Sequence, residues 1–235
     1  MKHNIAIATM TLDTKGDAQL MEAALEVLAI KSYTVYVADG GSSERFLASI
    51  KKMGHKVTYV PGGLTNQHKH SILRASSTHD IVLYTEPDKF DWFVDALDAT
   101  VDQYFAGVPS GFAAVGRSRE ALQTYPVHQQ KWEGMINKAI VEKLGLRTTI
   151  RDDYDFVYGP KLFPTTLGRH VADINGNIGW GTLMFLVGRA HKNHMMIRDI
   201  PSGLPCPQSQ RTEDNEAYRK TQFADNYAGF QLGLK

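Results

Sequence analysis

The sequence predicts an α/β protein built on a Rossmann-type, mostly parallel central sheet flanked by helices. Three observations carry this. Strand-length apolar segments alternate with segments of helical period through the first half of the chain. Such alternation implies parallel strands joined by right-handed crossovers. Acidic and glycine-rich turns, Asp39-Gly-Gly-Ser-Ser and Glu86-Pro-Asp, follow two of the strand-like segments directly. With 235 residues there is material for one large domain and a substantial core.

Residues 4–10 read as the first strand. From Asp17 to Ile30, apolar residues at Leu20, Ala23, Ala24, Val27 and Leu28 fall on one helical face. Tyr33 to Ala38 is β-branched and aromatic, a second strand. Ser43 suits the cap of a helix running to Met53, and Gly54 suits its stop. Residues 56–60 form a third strand, 66–76 a helix and 81–84 a fourth strand. Beyond it, residues 91–104 read as one helix, 112–115 as a strand, and 129–144 as a long helix stopped by Gly145. From Asp152 the chain reads as loop-rich, with short strands near Phe156, Val171 and 195–197, a helix over 180–190 and a polar, helical end over 211–222. No repeat or linker divides it. We expect one domain over 1–235, with a nucleotide-type half (1–117) and an acceptor-type half (118–235).

Composition narrows the function. The formal net charge is +1, from 26 Lys and Arg against 25 Asp and Glu, and no basic cluster stands out. Nucleic acid is therefore not an expected partner. A single cysteine, Cys206 in Pro-Cys-Pro, excludes an intrachain disulfide and fits a cytoplasmic protein. No run approaches the roughly 18–20 apolar residues of a membrane span, so membrane contact would be peripheral. No Gly-x-Ser-x-Gly, P-loop or His-Glu-x-x-His pattern occurs. His191 and His194 stand three apart without the further ligands of a zinc site.

The candidate residues cluster at strand ends, where ligands of such sheets bind. Glu86 and Asp88 flank Pro87 and can together hold a hard divalent cation, and the cation a diphosphate; the structural alternative is a solvated acid and a helix cap. Asp39 can accept hydrogen bonds from a ribose or base, or merely shape its turn. Arg117 and Arg119 follow an apolar strand, where a guanidinium suits phosphate. Asp152, Asp153 and Asp155 crowd before Tyr158-Gly159-Pro160-Lys161, a rigid turn delivering Lys161. Trp180 lies in Gly-Asn-Ile-Gly-Trp-Gly and can stack on a sugar face or sit in the core. Arg211, Glu213, Glu216, Tyr218 and Arg219 form a polar segment that can close over a diphosphate or remain solvated.

The order strand, Asp-Gly-Gly-Ser-Ser, helix, strand, helix, strand, Glu-Pro-Asp resembles the first half of GT-A glycosyltransferases, family 2 above all. In that family the second strand typically ends in Asp-Asp-Gly-Ser and the fourth in Asp-x-Asp. The resemblance implies that Asp39 contacts the nucleoside and that Glu86 and Asp88 hold Mg²⁺ or Mn²⁺; residues 11–16 are not typical of the family, yet Thr9 and Asp13 can touch the base, and Arg117 is a candidate nucleotide contact by its chemistry. The second half resembles polyprenyl-phosphate mannosyltransferases, with Asp155, Gly159 and Lys161 matching their acid, turn and basic residue, and Arg211 their terminal phosphate loop. It implies Lys161 and Arg211 at the diphosphate, Trp180 at the acceptor, and Asp155 or Asp173 as the base. The chain departs from the family in having Glu86 as the first metal acid and Thr182 after Gly181.

The expected activity is a metal-dependent, hexosyltransferase-like transfer from a nucleotide-sugar to a sugar, lipid-phosphate or small-molecule acceptor. Further copies of the chain are an optional partner. Two alternatives remain open at this level: a nucleotidyltransferase acting on a sugar phosphate, and a non-catalytic GT-A-like binding or assembly domain.

Overall fold

The computed structural model describes residues 3–13, 17–146, 154–203, 205–206 and 215–235. Arg211, Asp152, Asp153 and Glu213 lie outside the described residues. The first half follows the expected alternation: β1 (Ile5–Thr11), α1 (Ala18–Ile30), β2 (Thr34–Asp39), α2 (Glu44–Lys52), β3 (Lys56–Tyr59), α3 (Leu64–Ser76) and β4 (Ile81–Tyr84). Ser43 caps α2 by accepting from the Phe46 amide. The expected helix over 91–104 is two helices, α4 (Phe90–Asp95) and α5 (Leu97–Ala106), with Ala96 out of helical geometry between them. Then come β5 (Phe112–Arg117), α6 (Arg119–Leu122) and α7 (Val127–Leu144), which ends on left-handed Gly145.

The second half carries more regular structure than its sequence suggests. Lys161–Pro164 is a strand, β6, followed by α8 (Thr165–Gly168) and a 3-10 turn over Arg169–Asp173 that contains Val171. Phe156 is in no strand. The remaining elements are α9 (Gly181–Lys192), β7 (Ile197–Ser202) and α10 (Glu216–Gly233).

The sheet has seven strands in the order β3-β2-β1-β4-β6-β5-β7. All neighbours pair parallel except β6, which is antiparallel to both β4 and β5. Alternation along each strand supplies two cores. Ile5, Ile7, Val35, Val37, Ile81 and Leu83 face α1, α2, α4 and α5. Ala6, Ala8, Val82, Tyr84, Phe112 and Phe163 face α3, α7, α9 and α10.

Helices α9 and α10 approach closely because Gly181 meets Gly229 and Gly188 meets Gly233; a Cβ at any of the four would collide with the facing backbone. No described helix is long and apolar enough to cross a membrane.

Antiparallel β6 decides the position of the site. Its first residue, Lys161, pairs with Tyr84, the last residue of β4. The turn Tyr158-Gly159-Pro160 is thereby brought beside Glu86, so closely that a Cβ on Gly159 would strike the Glu86 carboxylate.

Candidate functional site

Two cavities meet at the carboxyl ends of β1 and β4. The first, about 220 Å³, is lined by Glu86, Asp88, Lys89, Tyr158, Trp180 and Arg219 among others. The second, about 320 Å³, lies against Thr11, Leu12, Leu20 and Gln67. Glu86, Asp88, Trp180 and Tyr218 line both.

The Glu86 and Asp88 carboxylates come together as the sequence predicts. Between them sits the Lys89 ammonium, 2.5 Å from Asp88 Oδ1 and 3.7 Å from Glu86 Oε2, and 5.4 Å from the centre of the Tyr158 ring. Burial pushes the Glu86 carboxyl up, and Lys89 pulls against that. Burial also opposes the Lys89 charge, but Asp88 and Glu86 outweigh it and hold the ammonium well above the ordinary lysine range. Glu86 Oε2 is buried and has no hydrogen-bond partner. Two hard oxygen donors at a cavity junction, one with an unused lone pair, fit a divalent cation such as Mg²⁺ or Mn²⁺. In this structure the Lys89 ammonium occupies the space between the two carboxylates. Among the described residues no cluster of three or more His, Cys, Asp or Glu adds further ligands.

Asp39 is fully buried and builds its own loop. Oδ1 accepts from the amides of Gly41 and Ser42, both at 2.9 Å, and Oδ2 from Thr11 Oγ1 at 2.7 Å and from the Ser42 hydroxyl. Asp13 ties the neighbouring loop down by accepting from the Ser43 amide and hydroxyl at 3.0 and 2.6 Å. Thr9 is buried inside β1, its hydroxyl without a partner. These three residues share one end of the sheet, but their polar atoms are turned to the protein. The nucleotide role expected of Asp39 is thus indirect in geometry: it sets the loop.

Four other expected site residues, Arg117, Asp155, Lys161 and Asp173, lie elsewhere. Arg117 does not face a nucleotide pocket. Its side chain is 0% exposed, donating from Nε to Asp155 Oδ2 at 2.7 Å and from Nη2 to Glu133, and it lies over the rings of Tyr125 and Tyr158. Asp155 accepts from Arg117, from Asn137 at 3.0 Å and from the Tyr158 amide. Burial alone would raise its carboxyl, but Arg117 outweighs burial and holds it at about 2. A general base works best near the operating pH, so Asp155 is scaffolding by geometry. Both residues line a third cavity, of about 680 Å³, that shares no lining residue with the first.

Lys161 is also fully buried, its ammonium given to the carbonyls of Tyr158, Gly159 and Pro160, and burial lowers it to about 8. It props up the turn against Glu86 and has no exposed surface to offer a diphosphate. Asp173 sits in the 3-10 turn with His170 and Arg189 and lines neither junction cavity. Trp180 lies on the wall of both cavities.

Gln129, Glu133, Gln222 and Asn226 line the first cavity without being singled out by the sequence. Gln129, Glu133 and Asn137 repeat every four residues on α7; Arg219, Gln222 and Asn226 occupy one face of α10. Helical spacing makes each set a polar stripe, normally a solvated face. Here α7 packs on α10, and the stripes are joined. Arg219 donates to Gln129 and Gln222, both at 2.8 Å; Gln129 donates to Glu133 at 2.8 Å; and Glu133 accepts from Arg117. Polar stripes on the two longest described helices were the available signal.

No family model and no curated protein sequence matches the chain. Solved structures do resemble it. Glucosyl-3-phosphoglycerate synthase from Mycobacterium tuberculosis in complex with UDP aligns with a TM-score of 0.69 at 14% identity, over 98% of this chain and 81% of that one. The same enzyme with Mn²⁺, UDP-glucose and phosphoglyceric acid gives 0.65 at 13%, over 98% and 79%. A further structure, described only as a mycobacterial protein, gives 0.65 at 13%, over 97% and 73%. Likeness at such identities speaks for architecture: the chain has the GT-A glycosyltransferase fold, as the sequence reading expects.

Proposed function

We propose that this protein is a metal-dependent glycosyltransferase that moves a sugar from a nucleotide-sugar to a hydroxyl acceptor. The observation that carries the reading is the Glu86–Asp88 pair at the junction of two cavities, one bounded by β1 and α1 and the other by α7, α9 and α10. A donor would lie in the second cavity with its diphosphate at the pair, and an acceptor in the first. The solved structures of similar fold were obtained with UDP and with Mn²⁺ or Mg²⁺, which supports the assignment of a divalent cation.

Glu86 and Asp88 would hold that cation, which when bound supplies Lewis-acid neutralisation of the diphosphate leaving group. Lys89, displaced from between the carboxylates, remains within reach to share the charge. Trp180 borders both cavities and would hold donor sugar and acceptor on one line. The acids of the first cavity are ion-paired, Glu86 and Asp88 with Lys89 and Glu133 with Arg117. The base closest at hand is then the diphosphate. The acceptor oxygen bonds to the anomeric carbon, the anomeric C–O bond breaks with its electron pair going to the diphosphate, and the hydroxyl proton follows it there.

A thermal-shift panel of nucleoside diphosphates and nucleotide-sugars, each with and without Mn²⁺, tests this. One donor class should stabilise the protein only with the metal, by roughly 2.7 kcal/mol at about 100 times its dissociation constant. Asp88→Ala should abolish the metal-dependent part. No shift with any nucleotide would refute the proposal.

A further inference from the structure

We infer that the first cavity takes an uncharged, polyhydroxylated acceptor, a sugar or polyol, and not a phosphorylated or carboxylate acceptor. The inference rests on the transferase reading for the word acceptor, but the binding preference is a property of the cavity alone.

The charges that line this cavity are already matched. Lys89 is paired to Glu86 and Asp88. Glu133 is held by Arg117 and Gln129. Arg219 is the one cation of α10 on the wall, and both its terminal nitrogens are committed, Nη1 to Gln222 and Nη2 to Gln129, each at 2.8 Å. Its aliphatic and guanidinium face lies over the Tyr218 ring. Phosphate and carboxylate recognition uses the bidentate guanidinium fork, and here one N–H of each fork nitrogen is taken by a glutamine. Arg219 keeps Nε–H, buried without a partner, and one N–H on each terminal nitrogen; donors taken singly suit a hydroxyl or ring oxygen. An anion seated on both fork nitrogens would compete with two part-buried hydrogen bonds and would face three carboxylates against two cations on the wall.

What remains for a ligand is aromatic and amide. Tyr125, Tyr158, Trp180 and Tyr218 surround the space, with Asn226 and the Leu183–Met184 segment closing it. Aromatic faces take the apolar C–H faces of a sugar ring, and amides take its hydroxyls in either donor or acceptor sense. At about 220 Å³ the space is below the roughly 300–1,000 Å³ of drug-sized pockets, so a single ring or short polyol is the scale that enters.

Saturation-transfer NMR on the full chain, without donor, tests this with methyl α-mannoside, methyl α-glucoside and glycerol against 3-phosphoglycerate and glycerol 3-phosphate. At least one of the neutral probes should bind, and its signal should fall several-fold in Trp180→Ala and persist in Trp180→Phe. The anionic probes should not bind the wild type. Gln129→Leu reopens the Arg219 fork and should raise 3-phosphoglycerate binding about tenfold; Gln222→Leu does the same from the other nitrogen should the first variant fold poorly. Tighter binding of the anions than of every neutral probe in the wild type would overturn the proposal, as would no binding of any neutral probe. Because donor is absent, these results are independent of the nucleotide thermal-shift panel: neutral probes that bind a protein with no nucleotide response would refute the transferase reading and leave the cavity assignment intact.

Discussion

Replacing Asp155 with Asn isolates the buried network behind the first cavity. The wild-type carboxylate accepts from Arg117 Nε, Nη2 and backbone N, from Asn137 and from the Tyr158 amide. Its carboxyl is held at about 2 against an ordinary 3.8. That difference is worth on the order of 2 kcal/mol at about 1.36 kcal/mol per pH unit. Breaking one arm of a buried ion pair costs about 3–5 kcal/mol, because a charge is left uncompensated. Arg117 keeps Glu133 in the variant, so a loss of about 2–4 kcal/mol is expected.

The pH dependence has a definite sign. The folded-state value lies below the unfolded one, so the stabilisation is complete well above 3.8 and is lost as the pH falls toward about 2. Urea unfolding of wild type and Asp155→Asn, followed by tryptophan fluorescence, should therefore show a wide gap at pH 7 that closes as the pH is lowered below about 4. A gap under about 1 kcal/mol at pH 7, the range of an exposed pair, or one indifferent to acid, would refute the reasoning.

Lys89→Met should bind Mn²⁺ without nucleotide at least about tenfold more tightly than wild type, because the competing ammonium is gone; an electron paramagnetic resonance titration reads this, and equal affinities would mean that Lys89 does not occupy the cation position. Gly229→Leu should destabilise the protein by at least about 1–3 kcal/mol, since its side chain must displace the Gly181 backbone; calorimetry would show a lowered Tm, and an unchanged one would contradict the α9–α10 packing. Burial holds Lys161 at about 8 against 10.5, so its charged form is penalised in the fold. That penalty, about 3 kcal/mol, is relieved as the pH rises from 8 to 10.5, and Lys161→Met should remove this rise from the urea midpoints.

Residue order alone makes the first half of the architecture and its chemistry-bearing ends legible. Short continuous apolar runs specify β1, β2 and β4, helical period specifies α1, and short-range rules specify the Ser43 cap and the Gly145 stop. Glu86 and Asp88 were legible because two residues of sequence separation and a strand end suffice to bring them together. Trp180 was legible because a cap position at the start of α9 leaves its ring at the helix end. These are local properties, fixed by backbone geometry within a few residues.

Tertiary structure decided the rest. Whether Arg117 and Asp155 serve a ligand or the scaffold depends on what lies across from them, and their partners Glu133 and Asn137 come from α7; Lys161 is turned to its own turn by burial beneath neighbouring elements. Four-residue β6 carries no periodic signal of its own, yet its antiparallel insertion beside β4 sets Tyr158 and Gly159 against Glu86. The polar stripes of α7 and α10 read as solvated faces until the two helices pack together. Charge and hydrogen-bonding capacity are written in the residue types, but burial and pairing are long-range quantities, and they determine which of those charges a ligand can still use.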